Sequence, residues 1–385
     1  MNILLIIDNF GAGGAQNQLS LLAVGLKRRG HRVTCFVYHP QNFFEARLLD
    51  AGIPIVRAAK RDKLGVNVIV SLARLMRRET FDIALSYLDT PNFYAAAACR
   101  LVRRAPALLV SHRFTTELQS LSRLQSGIRR WSNQQAHTLV CNSNHERRLW
   151  QSVMPQARCV TIYNGIPDAP TAQSEDRLAS IRSKVPDWPL DRPVVLAVGT
   201  VTPRKQAALI LKAMEILKNS EQLRFTLVWL GKEKVTMHTD VHYARQLRES
   251  IEQKQLQQHW VWAGEQADTH EFYRSAQALV HASTREGLPN VVCEAQMAGL
   301  PVIVSDVLDH PDMIENGING FLFTPDNAQI LAEKLKAFFD LSAQQQHDMR
   351  ERSRQRALEL YSLERCVDEY ETLFQSVCPA TAAQP

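Results

Sequence analysis

Short runs of aliphatic and β-branched residues alternate with segments of helical periodicity, and this alternation restricts the fold more than any other feature of the chain. Strands separated by helices are typical of a parallel sheet covered by helices on both faces. The sequence therefore predicts an α/β fold with two Rossmann-like, doubly wound domains. Strands are expected at residues 3–8, 32–38, 53–56, 81–88, 107–111, 138–142 and 159–163, and again at 194–199, 224–231, 260–264, 278–283, 301–306 and 320–323.

The alternation is interrupted once, by a stretch rich in proline and polar residues, and a length of 385 residues also favours two cores over one. We expect one domain at 1–168, a linker at 169–192 and a second domain at 193–360. Residues 361–385 are expected to form a C-terminal helix that returns toward the first domain, followed by a tail. Open parallel sheets bind ligands beyond the carboxyl ends of their strands, so the two domains should face a central cleft.

Several protein classes are not expected. The sequence contains no run of 18 apolar residues, so a membrane-spanning helix is not predicted. The N-terminal MNILLIID is typical of a buried strand and not of a signal peptide. The seven cysteines are scattered and form no CxxC pair. This pattern favours reduced thiols in a cytoplasmic protein over a disulfide framework or a zinc site.

The net charge is unevenly distributed. Residues 1–168 hold 22 Lys+Arg against 10 Asp+Glu, a net +12, while the whole chain carries +6. A basic first half favours an anionic partner, such as a phospholipid surface or a lipid-linked phosphate, and a solvated arginine-rich face is the alternative. Nucleic acid is not an expected partner, because aromatic residues do not interleave with the basic ones.

Two loops of the first domain are candidates for ligand contact. Gly11, Gly13 and Gly14 follow the first strand and precede a helix, where backbone N–H groups can approach an anion. The spacing is not the GxGxxG dinucleotide motif, and a tight strand–helix turn is the alternative. His112 stands at the end of the fifth strand, at the expected mouth of the cleft, although a lone histidine is more often structural.

The first loop of the second domain carries two cations. Thr202 and Pro203 suit the cap and first position of a helix, which places Arg204 and Lys205 in its first turn. Cations there are disfavoured by about 0.3–1 kcal/mol each because the helix dipole is positive at that end. A bound diphosphate would explain them, and extension of both side chains into solvent is the alternative.

The segment EGLPNVVCEAQMAGLPVI places two glutamates eight residues apart. Glu286 is predicted in a loop and Glu294 one to two turns inside the following helix, roughly 8–12 Å away. This separation excludes a shared proton and suits one carboxylate at each end of an extended ligand. The residues expected to offer backbone amides to a phosphate between them are Gly287, Leu288, Asn290 and Val291.

Together these segments resemble retaining glycosyltransferases of the GT-B fold, specifically family four. EGLPNVVCEAQMAGLPVI is similar to the E-x7-E signature of that family, and VGTVTPRK is similar to its phosphate-binding VGRLxxxKG segment. The loop GAGGA, SHR, CNSNHERR, YNGI and the terminal YSLERCVDEYETLF are also similar, in the order of the family and over nearly the whole chain.

The resemblance implies roles for individual residues. Glu294 would bind the ribose hydroxyls of the donor nucleotide, and Glu286 would bind the hydroxyls of the transferred sugar. Lys205 would contact the diphosphate and stabilise the departing nucleoside diphosphate. His112 would touch the donor sugar near the reacting carbon.

Further donor contacts are implied for Gly13 and Gly14 and for Arg204. The phosphate-binding arginine of the family, one residue after Gly199, is replaced here by Thr200, and we hypothesise that Arg204 compensates. Where many relatives carry GGAER, this chain has Gln16 and Asn17, so contacts near the acceptor can differ. The reaction would keep the anomeric configuration. No DxD motif occurs, which favours an enzyme that needs neither a metal nor a cofactor.

A basic amphipathic segment at 116–131 follows His112. It is interpreted either as a helix on an anionic membrane or as a helix packed on the domain core. Its apolar stripe comprises Leu118, Leu121, Leu124, Ile128 and Trp131, flanked by Arg123, Arg129 and Arg130.

The function that we expect is transfer of a sugar from a nucleotide-diphosphate sugar, most simply a UDP-sugar, to a glycan or lipid-linked acceptor. The acceptor would bind on the side of the first domain, and the product would be a surface polysaccharide, lipopolysaccharide or glycolipid. A cytoplasmic protein, peripheral on the inner face of the membrane, would fit this function. The alternatives are a non-catalytic nucleotide-sugar-binding protein and a nucleotide-sugar epimerase of the same fold.

Overall fold

A computed structural model describes residues 1–113, 122–168, 177–233, 241–266 and 268–378. The chain divides into two compact units. One comprises Met1–Pro167 together with Tyr361–Pro385, and the other comprises Asp168–Leu360. Each unit is built on a parallel sheet with helices on its faces, which confirms the predicted α/β class with two Rossmann-like domains.

The sheet of the first unit has the order β3-β2-β1-β4-β5-β6-β7, and all its paired strands run parallel. The chain runs outward from β1 to β3 and then returns to the other side of β1 at β4. This reversal makes the crevice between β1 and β4 the expected place for a ligand. The strands are β1 (Asn2–Ile6), β2 (Arg32–Val37), β3 (Ile55–Arg57), β4 (Ile83–Tyr87), β5 (Ala107–His112), β6 (Thr138–Cys141) and β7 (Cys159–Thr161).

Both faces of this sheet are buried, which explains why its strands are apolar throughout. Successive side chains of a strand point to opposite faces. In β1, Ile3 and Leu5 pack into one hydrophobic cluster and Leu4 into another on the opposite face. The helices that cover these faces are α1 (Gly14–Arg28), α2 (Glu45–Asp50), α3 (Val66–Arg78), α4 (Asp89–Arg100), α5 (Arg123–Gln134) and α6 (Asn144–Val153).

The sheet of the second unit has the order β10-β9-β8-β11-β12-β13. Its strand order reverses between β8 and β11, so the loops that follow these two strands are neighbours at the carboxyl edge. The strands are β8 (Val194–Val198), β9 (Thr226–Leu230), β10 (Trp260–Gly264), β11 (Ala278–His281), β12 (Val302–Ser305) and β13 (Gly320–Phe323).

The helices of the second unit begin before its sheet, with α7 (Arg177–Lys184). Within the segment expected as a linker, Ile181 and Trp188 are buried, and the Trp188 ring lies 5.7 Å from that of Phe272. Residues 177–192 therefore pack as part of the second unit, and 169–176 lie outside the described residues. The other helices are α8 (Ala207–Asn219), α9 (Val241–Gln253), α10 (His270–Ser275), α11 (Asn290–Met297), α12 (His310–Met313), α13 (Ala328–Asp340) and α14 (Ala343–Tyr361).

The last helix, α15 (Leu363–Val377), packs on the first unit. Tyr370 on this helix hydrogen-bonds Tyr87 at 3.0 Å between hydroxyls, and Arg29 donates to Glu371 at 2.6 Å. The C-terminal helix thus contributes to the core of the unit in which the chain starts. Among the described helices, none is both long enough and apolar enough to cross a membrane.

Candidate functional site

The loop after β8 does not fold as the sequence predicted. Residues Pro203–Lys205 form a single 3₁₀ turn, and α8 starts only at Ala207. Gln206 between them adopts a left-handed backbone conformation, with φ of +55°, and this separates the turn that carries the two cations from α8. The Thr202 side chain makes no capping hydrogen bond. The prediction that Arg204 and Lys205 lie in the first turn of α8 is therefore wrong.

Instead, the 3₁₀ turn brings both cations to a carboxylate in the loop after β11. The Lys205 Nζ atom lies 2.5 Å from Glu286 Oε1, and Arg204 Nη1 lies 3.4 Å from Glu286 Oε2. Arg204 also donates to the Arg285 carbonyl at 3.0 Å. The two loops meet at the switch point of the sheet, which is the position that open α/β sheets use for ligands.

The Lys205–Glu286 pair is mostly shielded from water, with side-chain exposures of 12% and 14%. Burial lowers the pKa of Lys205, although Glu286 acts in the opposite direction. Burial alone would raise the pKa of Glu286, but Lys205 and Arg204 reverse this and hold it below its ordinary value. Glu286 is therefore ionised near neutral pH and can accept hydrogen bonds.

Two further residues contact or approach Glu286, and the sequence did not single them out. The Ser283 hydroxyl donates to Glu286 Oε1 at 2.9 Å, and His281 Nε2 lies 3.8 Å from the same oxygen. His281 is the last residue of β11 and Ser283 follows two positions later, so both belong to the strand end that positions Glu286. The sequence did contain a signal for them, because two polar residues at alternate positions of an apolar strand end point to the same face of the sheet.

The amide groups predicted to face a phosphate stand at the start of α11. Pro289 precedes this helix, and its carbonyl already accepts from the amides of Val292 and Cys293. The expected residues Gly287 and Leu288 lie in the loop, while Asn290 and Val291 are the first two residues of the helix. Their N–H groups stand at the positive end of the helix dipole, which favours an anion.

Glu294 lies inside α11, as predicted, and its surroundings differ from those of Glu286. The Tyr273 hydroxyl, from α10, donates to Glu294 Oε2 at 3.1 Å. Burial raises the pKa of Glu294 to about 7, with a smaller opposing effect from Tyr273. The two glutamates therefore have separate partners and opposite pKa shifts, which argues against a shared proton.

The backbone beside β8 is unusually close-packed. Gly231, after β9, has φ of +149°, and a Cβ atom there would lie 2.1 Å from the Gly199 carbonyl oxygen. Gly199 has φ of +133° and its carbonyl accepts from the Trp229 indole at 2.8 Å. Only glycine fits at residue 231, and this close approach fixes the start of the loop that carries Lys205.

In the first unit, the glycine loop leads directly into α1. Gly13 is the N-cap residue, in an extended conformation and without a side-chain cap, and the exposed Gly14 is the first residue of the helix. The first turn contains no acidic residue. Gln16 donates to Asp8 Oδ1 at 3.1 Å, so this side chain is held by the loop itself.

His112 is buried, with 3% of its surface exposed. Its ring stacks on Trp150 at 4.6 Å, Nε2 lies 3.2 Å from Asn133 Oδ1, and Nδ1 lies 3.9 Å from Asp89. Burial lowers the pKa of His112, although Glu146 and Asp89 oppose the shift, so the ring is neutral near pH 7. A contact between His112 and the donor sugar stays a prediction.

Three of the segments that carry the family resemblance meet in the first unit. The Arg113 guanidinium, from SHR, stacks on the Tyr87 ring at 3.8 Å and donates to Asn164 of YNGI at 2.8 Å. It also donates to the hydroxyl of Tyr370, which belongs to the C-terminal helix. These residues join the sheet to α15.

The basic amphipathic segment is only partly described. Leu118 and Leu121 lie outside the described residues, and α5 begins at Arg123. Leu124 is 73% exposed and Ile128 is 37% exposed. Trp131 and Arg129 do not share this exposed face. The Trp131 ring packs at 5.7 Å from that of Phe93, and the buried Arg129 pairs with Asp89 on α4.

Comparison with known families identifies the chain. Residues 12–169 match the family described as Glycosyltransferase Family 4, and residues 180–356 match the family described as Glycosyl transferases group 1. These two matches cover most of both units. The chain belongs to the family-four glycosyltransferases of the GT-B fold.

Two curated relatives are similar over part of their lengths. The UDP-Gal:α-D-GlcNAc-diphosphoundecaprenol α-1,3-galactosyltransferase of Escherichia coli is 21% identical over 260 residues, which are 66% of this chain and 65% of the relative. The lipopolysaccharide 1,6-galactosyltransferase of Salmonella typhimurium is 33% identical over 108 residues, which are 28% of this chain and 29% of the relative. The chain thus aligns with less than two thirds of either relative.

A solved structure is similar over nearly the whole chain. HepE of Anabaena, crystallised with UDP, has a TM-score of 0.84 at 18% identity and covers 98% of this chain and 100% of its own. The same protein has also been crystallised with UDP-glucose. At this identity the likeness establishes the fold.

Proposed function

We propose that this protein is a retaining, hexosyltransferase-type glycosyltransferase that transfers a sugar from a UDP-sugar. The observation that carries the proposal is the meeting of Lys205 and Glu286 at the switch point of the second sheet, beside the start of α11. A cation, a carboxylate and helix amides are the groups that a sugar linked to a diphosphate requires. UDP is favoured because HepE was crystallised with UDP and the E. coli relative is named for UDP-Gal.

Each donor group has a proposed partner. Glu294 accepts from the ribose hydroxyls, and Glu286 accepts from the hydroxyls of the transferred sugar. Lys205 and Arg204 bind the diphosphate. The loop and first turn at Gly287, Leu288, Asn290 and Val291 present amides to the same phosphates.

The proposed chemistry forms the new bond on the face from which UDP leaves. The oxygen of an acceptor hydroxyl bonds to the anomeric carbon while the bond from that carbon to the β-phosphate oxygen breaks. The electron pair of the broken bond leaves with UDP, which also receives the hydroxyl proton. Glu286 is held by Lys205 and Ser283, which suits binding better than nucleophilic attack. The anomeric configuration of the product, measured by NMR, tests retention.

We propose that the charge of departing UDP is balanced by the protein and not by a metal. Lys205, Arg204 and the α11 dipole supply fixed positive charge where negative charge develops. In the described residues, no three His, Cys, Asp or Glu side chains cluster as a metal site would require. Activity should persist after exhaustive dialysis against EDTA, and restoration by Mg²⁺ or Mn²⁺ would contradict the proposal.

In the first unit we propose that His112 and the Gly13–Gly14 turn face the donor, and that this unit binds the acceptor. The acceptor would be a glycan or a lipid-linked glycan of a surface polysaccharide, lipopolysaccharide or glycolipid. The Gly14 amide at the start of α1 would contact phosphate. His112 would lie near the reacting carbon, and His112→Asn should lower kcat more than it raises the KM for donor.

We also propose a cytoplasmic location, peripheral on an anionic membrane. The exposed Leu124 and Ile128 lie on α5 beside the exposed Arg123 and Arg130, a combination suited to a lipid surface. The protein should float with vesicles containing anionic lipid and not with neutral ones. The double variant Leu124→Ser/Ile128→Ser should lose this binding, and equal flotation of the variant would contradict the role of α5.

The central test is a thermal-shift panel of UDP-, GDP- and ADP-sugars, because a ligand that binds only the folded state raises its melting temperature. UDP-galactose or UDP-glucose should stabilise the protein more than the GDP- and ADP-sugars. Absence of stabilisation by any member would refute the proposed function.

A further inference from the structure

His281 is buried beneath the Lys205–Glu286 pair and has no evident structural task for its outer nitrogen. Only 3% of the residue is exposed, and among the described residues its Nε2 atom has no hydrogen-bond partner. Glu286 Oε1 lies 3.8 Å from this nitrogen. An unpaired polar nitrogen in a protein interior is unfavourable and calls for a reason.

The ion pair between the residues proposed to bind the sugar donor gives a reason for this unpaired nitrogen. Lys205 Nζ contacts Glu286 Oε1 at 2.5 Å, so the cation proposed for the diphosphate is paired with the carboxylate proposed for the sugar. Binding of a diphosphate draws the lysine toward its negative oxygens. Glu286 would then keep the Ser283 hydroxyl at 2.9 Å but would lose its closest cation.

We propose that His281 is a positioning residue that donates a hydrogen bond to Glu286 when the donor draws Lys205 away. This inference rests on the proposed function of the site. A hydrogen bond requires an N···O distance of about 3.2 Å or less, so the present 3.8 Å closes with a shift of well under 1 Å. The bond would keep Glu286 ionised and hold its second oxygen toward the sugar.

The surroundings fix the protonation that this role needs. Burial lowers the pKa of His281 well below its ordinary value, and the neighbouring Lys205, His310 and Arg204 lower it further. The ring is therefore neutral, and the tautomer with hydrogen on Nε2 is favoured because a lone pair there would face the Glu286 carboxylate.

His310 packs against the His281 ring. The two imidazoles meet edge to face, with centroids 5.7 Å apart, and His310 Nδ1 lies 2.6 Å from the Ser305 carbonyl oxygen. Burial also lowers the pKa of His310, and Glu286 and Asp306 oppose that shift. A neutral pair packed in this way can shift slightly without leaving a charge unpaired.

The test compares His281→Leu, which removes the N–H, with His281→Gln, whose amide can restore it. With UDP-galactose and UDP-glucose as donors, His281→Leu should lower kcat about 10- to 100-fold, the usual range for a hydrogen bond to a charged group. His281→Gln should recover most of this loss. Affinity for uridine should be unchanged in both variants, because uridine carries no diphosphate to draw Lys205 away from Glu286. Equal losses in both variants, or no loss in His281→Leu, would overturn the proposal.

A second measurement needs no variant to be active. In ¹⁵N-histidine-labelled wild-type protein, the His281 Nε2 resonance, assigned from its absence in His281→Gln, should shift when UDP-sugar or UDP is added, because both carry a diphosphate, and should stay in place with uridine. A resonance that does not move while UDP-sugar binds also overturns the proposal. If neither UDP-sugar binds the wild-type protein, the proposed function is wrong as well. A UDP-sugar that binds without moving the resonance contradicts only the role of His281.

Discussion

The charge of Glu294 gives the sharpest prediction, because burial raises its pKa to about 7 from an ordinary 4.5. Below pH 4.5 the residue is protonated in both the folded and the unfolded chain. Between pH 4.5 and 7 the unfolded chain releases its proton first, so the folded state loses stability as the pH rises. One pH unit corresponds to about 1.4 kcal/mol, and the two values therefore imply a loss of up to about 3 kcal/mol that is complete above pH 7.

Glu294→Gln should remove this pH dependence. Glutamine keeps an oxygen for the Tyr273 hydroxyl and never ionises, so the variant should gain stability relative to the wild type between pH 5 and pH 8. The gain should approach about 3 kcal/mol and be smaller where Glu294 retains contact with water. Urea unfolding followed by tryptophan fluorescence measures it, since four of the six tryptophans lie in the second unit. The exposed Glu249→Gln serves as the matched control.

Donor binding should change in the opposite direction. An ionised carboxylate is the stronger acceptor for ribose hydroxyls, so wild-type affinity for UDP should rise with pH up to about 7. Glu294→Gln should bind UDP about 10- to 100-fold more weakly at pH 8. Titration of UDP itself is common to both proteins and cancels in the comparison. A difference in stability that is the same at pH 5 and pH 8 would refute the reasoning.

Three further predictions follow from neighbouring contacts. Lys205→Ala should lower kcat by about 100-fold or more, and Arg204→Ala should weaken donor binding by a smaller factor. The exposed Lys212→Ala should change neither kcat nor donor binding. Wild-type donor binding by Arg204→Ala would refute the hypothesis that Arg204 compensates for Thr200. Gly231→Ala should lower the free energy of unfolding of the second unit, measured in urea, by more than about 2 kcal/mol, because its Cβ would overlap the Gly199 carbonyl. Gly52→Ala has open space around its Cβ and should lower the free energy of unfolding by about 1 kcal/mol. Equal losses would contradict the packing argument. Tyr273→Phe removes a donor to Glu294, so the pH at which UDP affinity is half-maximal should rise, and a fall would show that Tyr273 does not stabilise the ionised form.

The fold was predictable because its strands are buried on both faces. A continuous apolar run such as residues 3–8, followed by glycines and a helical pattern, leaves few alternatives to a parallel sheet. Every strand of the two described sheets overlaps a predicted one. The placement of Glu286 in a loop and Glu294 in a helix was likewise evident from Pro289 and the stop at Gly299.

The sequence did not predict the places where tertiary contacts override local preference. Thr202 and Pro203 have the chemistry of a helix start, yet Gln206 takes a left-handed conformation and delays α8. Arg129 has the spacing of a solvated residue in a basic helix, yet its partner Asp89 lies on another helix, forty positions earlier in the chain. Trp188 stands in a proline-rich stretch that reads as a linker, and only the position of Phe272 shows that it is buried. No local pattern carries information of this kind.

The delayed start of α8 changes the reason for placing cations in the loop after β8. In a helix, Arg204 and Lys205 would oppose the dipole and require an external anion to be tolerated. In the 3₁₀ turn they are instead stabilised by Glu286, which the protein itself provides. A donor bound at the proposed site would therefore compete with an internal carboxylate. Such competition lowers the affinity for any diphosphate, and it favours a ligand that engages both sides of the pair, with phosphate for the lysine and hydroxyls for the glutamate. A sugar linked to a diphosphate meets this condition, whereas UDP alone satisfies one half of it. Discrimination between donor and product would then follow from the ion pair itself.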